Sequence, residues 1–315
     1  MRNLTWLLML GWFFAVAAVA APPPQDSTRD LSWAFPVPPE GVTREDDPGP
    51  RHVPGSTRTY TQKQIDDAGN APDWFPDEHA PMPRVVQHGS GPVVPACAMC
   101  HLASGSGHPE SADLTGLPVS YVMRQVAEFK SGARKDYSRM AAIAQGLSEE
   151  DARLAAEWFA TLKPVPWTRV VEADTVPKSI LRGRMRFPAP GGGTEPIGNR
   201  IIILPEDPER THSRDPHSGF IAYVPPGSIA RGEALVTTGA GKTIACGACH
   251  GGALRGLGEV PRISGVSPIY IFRQLHDIKH GTRSGVWTEL MKPVVASLSE
   301  DDMLAIAAYL TSRGP

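Results

Sequence analysis

The sequence predicts a mainly α protein. Two tandem copies of one helical unit are joined by a long linker with a small β hairpin and preceded by an extended, proline-rich segment. Three observations carry that prediction: a repeat at a fixed offset, helical apolar periodicity with caps inside it, and prolines crowded into the parts that do not repeat. Tyr121-x-x-Arg124-Gln125 recurs as Tyr270-x-x-Arg273-Gln274, and Lys130-x-Gly132-x-Arg134 as Lys279-x-Gly281-x-Arg283, each pair 149 residues apart. After a two-residue insertion the match resumes at an offset of 151, pairing Met140 with Met291, Leu147-Ser148 with Leu298-Ser299 and Asp151 with Asp302. Self-similarity of this length means two copies of one structural unit. The units are placed at residues 91–164 and 229–315.

Within the repeat, Val119 to Lys130 carries Val122, Val126 and Phe129 at helical spacing and is ended by Gly132. Ser148-x-x-Asp151 and Ser299-x-x-Asp302 are helix starts of the capping-box kind, with Asp in place of Glu. The helices they open should each have one apolar face: Leu154, Trp158 and Leu162 in the first copy, Met303, Ile306 and Leu310 in the second. Lys163-Pro164 and Gly314-Pro315 stop them.

The non-repeating parts differ in character. Residues 21–90 hold Pro36, Pro38, Pro39, Pro48, Pro50 and Pro54, which exclude a long helix, and only Thr61 to Ala68 reads as a short one. Trp33, Phe35, Tyr60, Trp74 and Phe75 predict that part of this stretch packs on the body, since a disordered tail carries few aromatics. Residues 165–228 are too long for an ordinary connection. The runs Arg200–Leu204 and Phe220–Val224, bounded by turn formers, predict a strand pair in what otherwise reads as a decorated linker.

Each copy opens on a C-x-x-C-H run, Cys97-Ala98-Met99-Cys100-His101 and Cys246-Gly247-Ala248-Cys249-His250. This is the attachment signature of a c-type haem. Cysteines at i and i+3 share one face of a helical turn, so both thiols reach the two vinyl groups along one porphyrin edge. The following histidine is then held beneath the iron as its proximal ligand. A zinc module would gather its two cysteine pairs within about 15–20 residues, and a dithiol redox pair needs no histidine. The four cysteines of the chain are all used by the two runs, so the sequence predicts two haem c groups held through Cys97, Cys100, Cys246 and Cys249, with His101 and His250 on the irons.

The N-terminus fits that chemistry. Met1-Arg2-Asn3 is a short basic start, Leu4 to Ala17 is almost wholly apolar, and Ala18-Val19-Ala20 is a small-x-small cleavage site. Residues 1–20 read as a signal peptide cut before Ala21, with an uncleaved membrane anchor as the other reading. Pro22-Pro23-Pro24 disfavours a continuing helix. Haem c is attached outside the cytoplasm, so a periplasmic location follows from both signals. With a formal charge of −2, nothing in the composition suggests nucleic-acid binding.

With these residues in place, the chain resembles the two-domain, dihaem class I c-type cytochromes of the bacterial periplasm, over about residues 92–164 and 229–315. The resemblance implies two tandem class I cytochrome c domains in which the methionine before Leu-Ser is the sixth iron ligand: Met140 for the first haem and Met291 for the second. A neutral thioether favours ferrous iron and raises the reduction potential. It also implies that Gly232–Val236 belongs to a helix packed on the terminal helix. Arg134 and Arg283 are placed as contacts for haem propionates. The first copy departs in three places: prolines interrupt its pre-haem stretch Pro81–Val86, Leu102 stands for Gly251, and Ala112 stands for Pro261, whose carbonyl orients the proximal histidine in the family.

The expected function is single-electron shuttling between a periplasmic dehydrogenase-type donor and a respiratory acceptor, through redox protein partners such as a dehydrogenase, an oxidase or another cytochrome. The alternatives are a dihaem redox enzyme of peroxidase or thiosulfate-oxidising type, or the cytochrome subunit of a periplasmic dehydrogenase complex. His108, His276 and His280 would compete as ligands, but their repeat counterparts are Leu257, Ala127 and Ser131, so no paired position supports them. Met123 and Met303 read as helix packing, and Met99 lies inside the attachment run.

Overall fold

The computed structural model describes residues 30–37, 49–135 and 139–315. The expected signal peptide, the start of the proline-rich segment and its residues 38–48 lie outside the described residues. From Pro50 the chain forms a two-residue pair, β1 (Pro50–Arg51) antiparallel to β2 (Tyr60–Thr61). The short helix α1 (Gln62–Ile65) follows, opened by a capping box between Thr61 and Gln64. The aromatics of this stretch do pack on the body. Trp74 is buried and its Nε1 donates to the Ser213 carbonyl at 2.7 Å, while Trp33 lies against Phe272 with ring centroids 4.6 Å apart.

The first unit is built from α2 (Arg84–His88), α3 (Ala98–His101), α4 (Val119–Ser131), α5 (Met140–Gly146) and α6 (Glu149–Thr161). Pro83 sets the start of α2 and Gly89, at φ 70°, ends it after five residues. Gly132 ends α4 at φ 76°, a left-handed cap that glycine adopts without strain. On α6 the expected face is corrected at one position, because Leu154 is 42% exposed. The buried stripe is Ala152, Ala155, Ala156 and Phe159, with Trp158 at its edge. Leu154 lies two residues from Ala152, about 200° around the helix and so on the outward side.

The linker is far more structured than one hairpin. It contains β3 (Thr168–Glu172), β4 (Thr175–Pro177), β5 (Ser179–Arg182), β6 (Met185–Pro188), β7 (Thr194–Pro196), β8 (Ile202–Pro205), α7 (Pro208–His212) and β9 (Phe220–Val224). The expected pair exists as β8 antiparallel to β9, with Ile203 opposite Ala222. It is extended by β3, which runs parallel to β9 with Thr168 opposite Phe220. β5–β6 and β4–β7 are separate antiparallel pairs. The sheet residues Ile201 to Leu204, Phe220, Ala222 and Val224 share one buried core with Leu235, Phe272 and Met303 of the second unit. The segment is thus part of that unit's body.

The second unit follows as α8 (Ser228–Thr238), α9 (Gly247–His250), α10 (Pro268–Lys279), a 3-10 turn over Thr288–Met291, α11 (Lys292–Val295) and α12 (Glu300–Ser312). The helix α8 crosses α12 so closely at Gly232 that a Cβ there would collide with the Ala305 carbonyl. Every residue of α12 from Asp302 to Thr311 is buried, with Met303, Ile306 and Leu310 at 2% exposure or less. Each such side chain contributes roughly 1.5–3 kcal/mol. No described helix is long and apolar enough to cross a membrane.

Candidate haem sites and the interface between them

Each C-x-x-C-H run forms one helical turn, closed by His101 N–H donating to the Cys97 carbonyl at 3.0 Å and His250 N–H to the Cys246 carbonyl at 3.0 Å. Both histidine rings are oriented the same way. Nδ1 of His101 lies 2.8 Å from the Ala112 carbonyl and Nδ1 of His250 lies 2.8 Å from the Pro261 carbonyl. A carbonyl only accepts, so each Nδ1 carries the proton and each Nε2 keeps its lone pair for a metal. Burial pushes both imidazoles toward the neutral form, against the smaller opposing effect of that hydrogen bond. The exchange of Pro261 for Ala112 therefore leaves the orienting group unchanged, because a backbone oxygen supplies it in both copies.

Leu102, the other departure, is held at φ 60° where the second copy has Gly251 at φ 77°. A left-handed leucine costs about 1–2 kcal/mol. Its side chain offsets this by reaching, 3% exposed, into the core that the second unit shares with the sheet.

Around the first turn lies a cavity of about 360 Å³ lined by Cys97, Cys100, His101 and Met140. Val122, Val126 and Phe129 of α4 and Ile143 and Leu147 beyond it supply its apolar walls, and Arg134, Lys135, Arg139, Arg184 and Arg273 also line it. Burial pushes the Cys97 thiol up to about 12 and raises that of Cys100 too, so both sulfurs of this cavity are neutral; in the second unit it pushes Cys246 up to about 11. Two neutral thiols, an imidazole with a free Nε2, a thioether on the wall, an apolar enclosure and cations for two carboxylates are the donor set that a covalently held haem requires. The residues present fit that group. In the second unit Met291 ends the 3-10 turn and packs, partly buried, against the core.

The remaining candidate residues have other employment. His276 stacks on His280 at 4.1 Å and lies 5.3 Å from Phe35. His108 is buried beside the first turn, where its N–H donates to the Cys100 carbonyl at 3.1 Å. Met303 is core, Met99 is buried in its own turn, and Met123 packs on the first core.

Arg134 and Arg283 reach across the boundary between units. Arg134 donates to Gln125 (2.7 Å), Tyr270 (3.0 Å) and Gln274 (2.8 Å). Arg283 reciprocates to Gln274 (2.8 Å), Tyr121 (3.3 Å) and Gln125 (2.9 Å). The two arginines form an antiparallel bridge, extended by Lys135 N–H to the Thr282 carbonyl at 2.8 Å and Ser284 N–H to the Ala133 carbonyl at 2.6 Å. Tyr270 is partly buried, and desolvation would raise its pKa, but Arg134 and Arg283 outweigh that and hold it below the usual range. The repeated Tyr, Gln and Arg thus clasp the two units about a local two-fold axis. Arg134 also keeps a place on the first cavity wall.

A second clasp escaped the sequence reading. Arg262 Nη2 pairs with Asp113 Oδ2 at 2.7 Å and with Thr115 Oγ1 at 3.0 Å, both side chains of the ion pair being 7% exposed. Asp113 follows Ala112 and Arg262 follows Pro261, so the ion pair joins the two loops that orient the histidines. Opposite charges at equivalent repeat positions, 149 residues apart, were the available signal.

The fold and this pair of sites define a class I c-type cytochrome with two domains. No protein-family model matches the chain. It is 36% identical over 88 residues to cytochrome c-554(548) of Halomonas halodenitrificans, covering 28% of this chain and 98% of that protein. A thiosulfate dehydrogenase electron acceptor from Stutzerimonas stutzeri is 27% identical over 232 residues, covering 73% of this chain and 84% of that protein. The solved cytochrome c4 of Acidithiobacillus ferrooxidans matches at a TM-score of 0.47 and 22% identity, over 69% of this chain and 98% of that one. The chain belongs to the class I c-type cytochromes, as a two-domain dihaem member that carries two haem c groups and transfers electrons.

Proposed function

We propose that this cytochrome is exported to the periplasm by residues 1–20 and accepts single electrons from a thiosulfate dehydrogenase-type donor, passing them to a respiratory acceptor. One haem belongs to residues 91–164, with His101 and Met140 on its iron, and the other to residues 229–315, with His250 and Met291. The observation that carries the reading is the matched orientation of His101 and His250, each by a carbonyl at 2.8 Å. When bound, each haem supplies a one-electron site. The chain's own residues do the rest. The carbonyls of Ala112 and Pro261 fix the rings and strengthen them as donors. The thioethers of Met140 and Met291 contribute no charge and so favour the reduced state. Val122, Val126 and Phe129 give the first cavity an apolar wall. The reciprocal Arg134–Arg283 clasp holds the two sites at a fixed separation, so an electron passes between them without rearrangement. Two relatives named as electron acceptors of thiosulfate dehydrogenase, each 27% identical, support the choice of donor.

The test uses the mature chain with both haems attached. Two covalent haems per chain, a methionine-to-ferric-iron charge-transfer band, indifference to cyanide and rapid reduction by thiosulfate plus a purified thiosulfate dehydrogenase are expected. Cyanide binding or peroxide turnover at either haem would overturn the carrier reading. Reduction by other donors but not by this pair would overturn the donor assignment alone.

A further inference from the structure

Glu110 and Glu259 occupy the same place in the two repeats, each two residues before the carbonyl that orients its histidine. Their surroundings differ. Glu259 is exposed and accepts a hydrogen bond from the Ser120 hydroxyl. Glu110 lines the first haem cavity, and its Oε2 is buried with no hydrogen-bond donor. A second, smaller cavity of about 20 Å³ shares Glu110 as a wall, and there Trp33, Pro36 and the β5–β6 hairpin close over it. Those covering pieces come from the N-terminal segment and the inserted sheet, which the second copy has no counterpart for.

A carboxylate oxygen buried without a donor makes the anion costly. Burial pushes the Glu110 carboxyl above the usual range, opposed by its own backbone N–H and by Arg273, Arg214 and Arg184. These three cations come from α10, the turn after α7 and the β5–β6 turn. The other ionisable groups around it are Cys100 on α3, whose thiol burial and Glu110 both push up, His108 on its own loop, Arg186 on the smaller cavity, and His101, Tyr121, Arg134, Lys135, Arg139, Tyr270 and Asp277 elsewhere on the haem-cavity wall. The cations lining that wall are the natural partners of haem propionates, and arginines so engaged have less charge to offer Glu110.

We propose that Glu110 takes up a proton when the first haem is reduced and releases it when that haem is oxidised, so that electron transfer at the first site is proton-coupled. The inference rests on the haem assignment above. An oxidised haem carries one more positive charge than a reduced one, and in a low-dielectric pocket that charge favours the carboxylate. The step balances. One electron arrives from the redox-protein donor, ferric iron becomes ferrous, and one proton moves from solvent water to a Glu110 carboxylate oxygen; reoxidation reverses each transfer. Glu259 is exposed to water, so the second site has no equivalent enclosed carboxyl group and passes electrons alone.

The experiment is a potentiometric titration of the dihaem protein at a series of pH values, with the infrared reduced-minus-oxidised difference spectrum recorded alongside. One of the two reduction potentials is expected to fall as pH rises through a bounded window while the other stays flat. Reduction should also bring up the C=O stretch of a protonated carboxyl group. Glu110→Gln should abolish both signals, and Glu259→Gln should leave both intact. Two pH-independent potentials, or a slope and carboxyl band that survive Glu110→Gln, would overturn the proposal. If Glu110→Gln fails to load haem, the carboxyl band in the unsubstituted protein and its displacement in Glu110→Asp decide the matter. A pH-independent protein with two normal haems sinks only the proton coupling; a chain without covalent haem sinks the site assignment as well.

Discussion

The first attachment turn is enclosed, with Ala98, Met99, His101, Leu102 and Ala103 all buried, whereas in the second Cys249, Gly252 and Ala253 are exposed and His250 is only half-buried. The repeat supplies the same chemistry to both, and segments outside the repeat supply the difference. Arg214, beyond α7, donates to the Met99 carbonyl at 2.5 Å and to the Ile65 carbonyl at 3.1 Å. Trp167 Nε1 donates to the Gly107 carbonyl at 2.7 Å. Arg214 itself sits at φ 55°, a left-handed conformation costing about 1–2 kcal/mol that persists because these contacts hold it. The comparison teaches that one haem motif can be given two dielectric environments by what is inserted around it, and environment sets potential and proton affinity.

The largest expected effect tests whether the two units are energetically one. Arg262→Ala leaves Asp113 buried and without its cation, and should destabilise the protein by about 3–5 kcal/mol. Denaturant unfolding followed separately at the two haem signals should show both transitions move together. A loss below about 1 kcal/mol, or a shift at one haem only, would mean that the units are stabilised independently.

A smaller effect contrasts the two capped helices. Ser148 accepts only the Asp151 N–H, at 3.0 Å, whereas Ser299 and Asp302 form a complete capping box. Loss of an N-cap costs roughly 0.5–2 kcal/mol. Ser299→Ala should fall near the top of that range and Ser148→Ala near the bottom, as thermal unfolding of the two variants would show; equal losses would erase the distinction.

A further effect is one of pH. Burial of Asp302 would raise its pKa, but the Ser299 N–H, Lys242, Arg231 and the Ser299 hydroxyl together hold the carboxyl well below the usual range. A depressed folded-state pKa contributes stability that is full above the unfolded value of about 3.9 and is lost as pH falls through the folded one. Asp302→Asn should therefore be clearly less stable than the unsubstituted protein at neutral pH, and the gap should narrow below about pH 4. A gap that is constant down to the acid limit would show that the ion pairs contribute nothing.

The attachment runs, the repeat and the helix caps were legible in the sequence because they are local. Two thiols at i and i+3, an Asp three residues after a serine and a glycine at a helix end act within one or two turns. That Met140 would stand on the cavity wall was legible only through its place in the repeat. Two readings fell short. Leu154 has the right chemistry for a core but the wrong angle on its helix, and angle is fixed by which stripe finds a partner. β3 joined the strand pair although Thr168–Glu172 has no strong pattern of its own, since a parallel neighbour more than 50 residues away is a tertiary choice.

By itself, then, the sequence determined that the chain carries two haem c groups and that two similar helical units repeat along it; its two C-x-x-C-H runs are where we propose those groups are held. Only the tertiary structure decided that the repeated arginines clasp each other's unit, that Asp113 meets Arg262, and that a carboxylate oxygen of Glu110 is buried while Glu259 is exposed. The reason is physical. Bonds within a helical turn depend on spacing along the chain, but burial and charge pairing depend on which distant surfaces meet, and in this protein the non-repeating segments make that choice.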